Sequence, residues 1–192
     1  MTLRRIAIAL VIALWVGAAA ADPGAPPGSI AFEAKNAFST AHGAFAKWRI
    51  VRADVDPAAP RSGVVEVEVD VASLDTGIER RDHHLRTADF FDVEKFPTAR
   101  VRVHDAEPTG KGERGNPRYR AKFDLEIHGV KKTLDGEFEV TQASPPTVEG
   151  GLTLNRVAFG IGDPYTWYIP GSIVEEVLVH FRATLPESRQ AR

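Results

Sequence analysis

Alternation of apolar and polar residues constrains this chain more than any other feature of its sequence. In Val65-Glu-Val-Glu-Val-Asp-Val71 the valines fall on one face of an extended strand and the carboxylates on the other. The segments 119–127 and 132–141 repeat this pattern, and shorter or less regular strands are predicted over 30–34, 45–54, 98–106, 148–159 and 176–185. Eight strands separated by turn signals predict an all-β protein, either a sandwich or an antiparallel barrel.

The segment 74–96 lacks strand alternation. Ile78, Asp82 and Leu85 would share one side of a helix, which predicts one or two short helices between strands. Asp75 and Thr76 offer side chains suited to capping the helix N-terminus. An element of this kind between two strands could cover one end of a barrel, but periodicity does not show whether it does.

The first residues have the pattern of an export signal. Two arginines precede the apolar run 6–16, and Ala19-x-Ala21 provides a cleavage motif. The apolar run is shorter than the roughly 20 residues that span a bilayer, so cleavage is favoured over an uncleaved anchor. General secretion is favoured over the twin-arginine route, and both lead to the periplasm. The predicted parts are a signal peptide over 1–21, a tether over 22–28, one domain over 29–186 and a disordered tail over 187–192.

Composition excludes several classes of function. The formal net charge of −2 over 192 residues provides no basic surface for nucleic acid. The chain has no cysteine, which excludes disulfides, cysteine nucleophiles and thiolate-bound metals. The sequence also lacks the Gly-x-Ser-x-Gly and His-Glu-x-x-His motifs of common hydrolases. We therefore expect a protein that is not an enzyme.

The densest polar cluster in the sequence surrounds His83 and His84. Neighbouring positions on a helix point about 100° apart, so both imidazoles cannot face one metal ion on a regular helix. Ion pairing and helix capping are the favoured roles of this cluster. Three other histidines occupy polar positions of predicted strands and are expected to face solvent, namely His104, His128 and His180.

Two apolar features remain open to more than one interpretation. The inward faces of the predicted strands are almost free of charge, and eight strands can enclose either a packed core or one small ligand. The segment 159–169 carries four aromatic residues among glycines and a proline. It is interpreted either as a plug that packs on the core, which is slightly favoured, or as a lid that touches lipid.

Three segments resemble a known family. Ser73-Leu-Asp-Thr-Gly-Ile-Glu-Arg-Arg-Asp-His-His-Leu-Arg-Thr-Ala-Asp-Phe-Phe-Asp-Val-Glu-Lys-Phe-Pro-Thr-Ala99 closely resembles the YceI-like family of bacterial exported lipid-binding proteins. The resemblance continues at 123–132 and 154–161 and covers roughly 30–185. It implies a lipocalin-like antiparallel barrel whose elongated pocket takes a polyisoprenoid chain such as an isoprenoid quinone, or in some members a fatty amide. Asn36 stands where many members carry a histidine, and 159–172 is not typical of the family.

The resulting hypothesis is a periplasmic protein that sequesters or carries an isoprenoid lipid and needs no cofactor or metal. Its partners are the lipid, in transient contact with the inner membrane or a membrane redox protein, with a homodimer also considered. The alternatives are a stress-related module that docks a membrane protein and a hydrolase acting on a lipid or amide. The predicted ligand-binding residues are Trp48, Val69, Leu85, Phe91, Val101, Val103, Phe123, Leu125, Phe138, Val179 and Phe181. The predicted polar rim is Arg81, Asp82, His83, His84 and Arg86.

Overall fold

The structure is a computed structural model that describes residues 26–56, 58–169 and 171–186. The predicted signal peptide over 1–21 and the predicted tail over 187–192 lie outside the described residues. Gly28, which the sequence assigned to the tether, is the first residue of the first strand. The predicted division of the chain into parts otherwise stays a prediction.

The described residues form one antiparallel sheet of ten strands, which confirms the predicted all-β antiparallel fold but not the predicted count of eight. Its hydrogen-bonded order is β3-β4-β6-β7-β8-β9-β10-β1-β2-β5. The strands are β1 Gly28–Asn36, β2 Thr40–Phe45, β3 Trp48–Asp54, β4 Val64–Asp70, β5 Leu74–Asp75, β6 Thr98–Lys111, β7 Pro117–Ile127, β8 Val130–Ala143, β9 Pro146–Asn155 and β10 Ile173–Thr184. Prediction missed β2, whose small residues show no clear polar alternation, and β5, which has two residues.

The two ends of this strand order lie next to each other. β2 leads into β3 through Ala46 and Lys47, and β4 leads into β5 through a single 3-10 turn, Val71–Ser73. The amide of Ala46 donates to the carbonyl of Ser73 at 3.1 Å, and the amide of Asp70 donates to that of Lys47 at 3.0 Å. The sheet is therefore curled on itself, with the inward side chains enclosed.

One α-helix, α1 Glu79–Arg86, lies in the part of the chain that the structure describes, as the sequence predicted for 74–96. The predicted capping is wrong, because the N-cap position is Ile78, which makes no side-chain cap hydrogen bond. Asp75 instead accepts a hydrogen bond from the amide of Gly77 at 2.7 Å. Within the described residues, no helix is long and apolar enough to cross a membrane.

The β7–β8 hairpin explains one wrong prediction about a histidine. His128 and Gly129 form its two-residue turn with φ of 53° and 75°, as a type I′ turn requires. The His128 imidazole is half-buried, with a buried Nε2, and its Nδ1 lies 3.2 Å from the carbonyl oxygen of Phe159. His104 is also mostly buried, with a carboxylate oxygen 3.0 Å from each ring nitrogen, whereas His180 is exposed as predicted.

Candidate functional site inside the curled sheet

An apolar cavity of about 510 Å³ runs through the interior of the curled sheet. Strands β1 to β4 and β6 to β10 all contribute inward-facing side chains to its wall. These are the positions that period-two alternation places on the apolar face. Of the two interpretations of the interior, the structure shows the cavity rather than a filled core.

All eleven residues predicted to bind ligand line this cavity, namely Trp48, Val69, Leu85, Phe91, Val101, Val103, Phe123, Leu125, Phe138, Val179 and Phe181. Their contact with a ligand stays a prediction. The predicted ligand-binding set left out other lining residues at the same strand parity, including Ile30, Phe32, Ile50, Val65, Val67 and Ile127. The alternation had already placed the last three on apolar faces, and the same signal in β1 and β3 could have found the others.

Glycines in the wall keep the interior open. A methyl group at Gly136 on β8 would lie 2.6 Å from Cε2 of Phe123, so the phenyl ring lies directly against the glycine. Phe32 lies against Gly43 in the same way, with its Cζ 2.3 Å from a methyl group at that position. Both rings therefore lie close to the wall instead of projecting across the cavity.

The cavity extends along the full length of β7, because Pro117 and Ile127 at the two ends of this strand both line it. A rise of about 3.4 Å per residue gives about 34 Å along the strand. A barrel-like strand tilt of about 40° reduces this to about 26 Å along the axis. A hydrocarbon chain advances about 1.2 Å per bond, as an extended peptide does, so about 20 carbon atoms fit in line.

The predicted polar rim does not lie at the cavity surface. None of its five residues is among the described residues that line the cavity: Arg81, Asp82, His83, His84 and Arg86. Asp82 is buried and accepts hydrogen bonds from the amide and hydroxyl of Thr76. Arg81 donates to the Thr76 hydroxyl at 2.7 Å, and Arg86 donates to the carbonyl of Ala72 at 2.8 Å.

These contacts tie α1 to the segment 72–76. They hold the residues 76–96, which we call the cover, over one end of the cavity. His84 lies 3.8 Å from Asp89, and His83 is exposed. No group of three or more histidine or acidic side chains able to hold a metal ion occurs among the described residues. The cover itself contributes Leu85, Phe90 and Phe91 to the cavity wall.

The described residues of the segment 159–172 form a buried part and an exposed part. Phe159 is 1% exposed and packs in the core with Ile161, which matches the plug interpretation. Trp167 is 81% exposed, and Tyr168 and Ile169 are also exposed. We call Trp167, Tyr168 and Ile169 the aromatic tip.

The aromatic tip lies at the same end of the sheet as the β1–β2 turn. Asn36 pairs with Ile173 across β1 and β10, and its Oδ1 accepts hydrogen bonds from the amides of Phe38 and Ser39 at 2.8 and 2.7 Å. This Asn36 therefore shapes a turn. Phe38 in that turn is 85% exposed, so a second large apolar side chain reaches solvent at this end.

Arg156 is a buried cation at the cavity wall that sequence reasoning missed. It is 6% exposed and donates from Nη1 to the carbonyl of Ile161 at 2.8 Å and from Nη2 to that of Asp163 at 2.6 Å. It also donates from Nε and Nη2 to the carbonyls of Val174 and Ile173. Burial lowers the pKa of this guanidinium, and the negative charges of Glu175 and Asp163 oppose the shift.

The position of Arg156 follows from the same alternation that places the apolar wall. Leu152 and Leu154 point inward from β9, and Arg156 continues this parity immediately after the strand. Its four carbonyl partners belong to the segment 161–174 that leads into β10. One inward arginine thus folds this segment around its side chain at one end of the cavity.

Comparisons with known proteins agree with this architecture. The model of the YceI-like domain matches residues 25–185. A UPF0312 protein of Pseudomonas fluorescens is 38% identical over 112 residues, which is 55% of this chain and 57% of that protein. A UPF0312 protein of Vibrio cholerae is 37% identical over 79 residues, or 41% of this chain and 39% of that protein. The chain thus spans about half the length of these curated relatives.

Solved structures show the same fold. Burkholderia cenocepacia BcnA matches with a TM-score of 0.71 and 27% identity, over 81% of this chain and 94% of that one. A polyisoprenoid-binding domain from Saccharophagus degradans, implicated in plant cell wall breakdown, matches with a TM-score of 0.58 and 16% identity, over 82% and 92%. By its family match and its fold, this chain belongs to the YceI-like domain family.

Proposed function

We propose that this protein binds one long apolar lipid of the polyisoprenoid type inside the curled sheet and carries it through the periplasm. The observation that carries the proposal is the apolar cavity of about 510 Å³ that follows β7 from end to end. The similarity in fold to a domain described as polyisoprenoid-binding supports this choice of ligand. A quinone-type head group is part of the proposal that rests on the resemblance to the YceI-like family, and a periplasmic location is part that rests on the predicted export signal.

Burial of hydrocarbon supplies the free energy of binding. Removing about 400 Å² of apolar ligand surface from water at about 25 cal/mol per Å² gives about 10 kcal/mol before ordering costs. Losses of translational and conformational freedom on binding reduce this value. What remains is enough for micromolar or tighter binding. The proposal requires binding alone, with the lipid recovered chemically unchanged.

The decisive test is uptake of an isoprenoid quinone by the purified mature protein. Vesicles that contain the quinone are mixed with protein, and the protein fraction is separated and analysed for quinone. We expect one quinone per protein chain. Phe138→Lys places a charge in the apolar wall at a half-buried position and should abolish uptake, because the ammonium loses its hydration there.

Val51→Lys is the matched control, since Val51 lies on β3 and its side chain is exposed. This control should bind quinone as the unmodified protein does. Circular dichroism and thermal melting establish that both variants are folded. Normal uptake by a folded Phe138→Lys protein would contradict the proposal.

The aromatic tip is proposed to touch the bilayer while lipid is transferred. The segment 164–174 carries no charged residue, and exposed tryptophan and tyrosine side chains suit the interface between headgroups and hydrocarbon. The cargo is insoluble in water, so it has to be collected from a membrane. This gives the exposed apolar tip a function at one end of a lipid cavity.

Binding to neutral phosphatidylcholine vesicles tests this contact. The double variant Trp167→Ser and Tyr168→Ser should weaken vesicle binding at least about 10-fold, because both large aromatic side chains are lost from the membrane interface. The control Val51→Ser removes an exposed apolar side chain far along the sheet and should have no effect. Co-sedimentation with vesicles measures the partition. Equal vesicle binding by the double variant would show that the tip serves another surface, such as a protein.

A further inference from the structure

The described residues that line the cavity include three with carboxylate, imidazole or guanidinium side chains, and these three differ in how well their polar atoms are satisfied. Asp56 is exposed, and its Oδ1 accepts a hydrogen bond from the amide of Ala58 at 2.8 Å. His104 has a carboxylate oxygen 3.0 Å from each ring nitrogen. Arg156 is the buried member of the three.

Arg156 has one more donor than it has protein acceptors. A guanidinium carries five N–H groups, and four of them are taken by backbone carbonyls. The fifth belongs to Nη1, which donates once, to Ile161. No acceptor for it occurs among the described residues, and a buried donor without an acceptor is unfavourable. This count leaves room for an acceptor that comes from outside the chain.

Nη1 lies next to residues of the cavity wall. A methyl group at Gly162 would lie 2.8 Å from Nη1 and 2.9 Å from Cε1 of Phe90, so glycine allows the nitrogen and the ring to approach closely. Phe90 and Ile161 line the cavity together with Arg156. Within the described part of the chain, Arg156 forms no ion pair, because no carboxylate oxygen lies within 4.0 Å of its guanidinium nitrogens.

On the basis of the proposed function, we propose that Arg156 holds the head group of the bound lipid by donating from Nη1 to a carbonyl oxygen. The lipid then lies with its carbonyl end under α1 and its hydrocarbon tail directed toward Asp56 at the opposite end. Quinones and fatty amides share this carbonyl acceptor. A head group that only donates hydrogen bonds, or that carries a positive charge, is disfavoured. It would leave the remaining N–H of the Arg156 guanidinium without an acceptor or place a second positive charge beside it.

A competition among three lipids of equal chain length tests this site in the unmodified protein. The probes are a long-chain primary amide, the corresponding amine and the terminal alkene, offered together and detected by native mass spectrometry. We expect the amide to be preferred over the alkene by at least about 10-fold, as one charge-assisted hydrogen bond provides, and the amine to bind most weakly. A quinone of matched chain length should compete as the amide does.

The outcomes separate the two proposals. Uptake of amide, amine and alkene in equal amounts would overturn the head-group site and leave chain binding intact. Binding of none of the probes would overturn the proposed function itself. Binding of the amine as tightly as the amide would likewise overturn the assignment of a donor at this end.

Variants locate the effect at Arg156. Arg156→Lys keeps the positive charge but lacks the fixed planar arrangement of N–H donors that a guanidinium has. The preference for amide over alkene should therefore disappear, while alkene uptake remains. Arg182→Lys, on an exposed residue of β10, is the matched control and should keep the preference. An unchanged preference in a folded Arg156→Lys protein would overturn the proposal.

Nuclear magnetic resonance of protein labelled with ¹⁵N-arginine provides a measurement that needs no variant. The amide probe should shift and sharpen the Arg156 Nη1 resonance, because the free N–H gains an acceptor. The alkene probe should leave this resonance in place. Equal responses to both probes would contradict a hydrogen bond to the head group.

Discussion

Replacing Gly136 with alanine tests whether the open interior is the space that the lipid occupies. A methyl group there would lie 2.6 Å from Cε2 and 2.9 Å from Cδ2 of Phe123, whereas ordinary contacts begin near 3.4 Å. The ring therefore has to move by about 0.8 Å, the difference between these contact distances. Because the cavity is the free space beside it, we expect the ring to move inward, toward Phe181, whose ring centroid is 5.8 Å away.

The free energy of this displacement divides between folding and binding. Overpacking a filled core costs about 1–3 kcal/mol. Here the ring has somewhere to go, so we expect Gly136→Ala to lower the free energy of unfolding by about 1 kcal/mol. The bound lipid then competes with the displaced ring, which should weaken binding by about 2 kcal/mol, or about 30-fold in Kd.

Quinone titration provides the assay, because quinones quench tryptophan fluorescence and Trp48 lines the cavity. Gly43→Ala, which displaces Phe32 in the same way, should also weaken binding. Gly115→Ala is the control, since its added methyl group meets nothing within 4 Å and lies in the β6–β7 turn. It should cost stability through its φ of 79° but leave Kd unchanged. An unchanged Kd in folded Gly136→Ala would refute the reasoning.

Three further predictions concern the ligand, the cover and the outer face of the sheet. Across primary amides of increasing length, each added methylene should strengthen binding by about 0.8 kcal/mol up to about 20 carbons, with a plateau beyond; a continued increase in titrations would contradict the length of the cavity. Asp82→Ala should lower the free energy of unfolding, measured in urea, by about 2–3 kcal/mol, because Thr76 loses its buried acceptor. Asp89→Ala, at an exposed site, is the control and should change this free energy little. The hydroxyl of Thr133 is the main cause that holds the pKa of Asp124 below its usual range, followed by His104. This carboxylate stabilises the fold above its unfolded pKa and loses that effect as pH falls through the folded pKa, so Thr133→Val should raise the Asp124 pKa in an NMR titration and shift acid unfolding to higher pH.

The inner surface could be predicted from sequence because a strand has an exact period of two. Once Val101, Phe123 and Phe181 are placed on inward faces, the wall of the cavity follows, and the structure lines the cavity with every residue predicted for it. Pattern alone did not decide between a cavity and a filled core. The glycines beneath Phe123 and Phe32 decide it physically, since they let aromatic rings lie flat against the wall.

The rest depended on contacts between distant segments or on a change of backbone conformation. β5 has two residues and exists because Leu74 and Asp75 pair with Phe45 and Ala44, which no local pattern shows. The alternation of inward and outward side chains along β7 predicted an outward His128. This alternation does not hold in a turn with positive φ, and the centroid of the imidazole lies 4.4 Å from the centroid of the Phe96 ring.

The polar residues show the same limit. The cluster around Asp82 was visible in the sequence, but its contacts with Thr76 and the segment 72–76 direct it to the cover instead of the cavity. Arg156 was overlooked because an arginine after a strand is normally exposed. The same period of two, extended one step beyond Leu154, would have placed it inward.

The most direct measurement of the central claim is native mass spectrometry of the mature protein purified from its own host, followed by organic extraction of any bound molecule. The account predicts one polyisoprenoid lipid per chain, with a carbonyl group at its head and no chemical change after incubation. A protein that is purified empty and also fails to take up a series of quinones would contradict it.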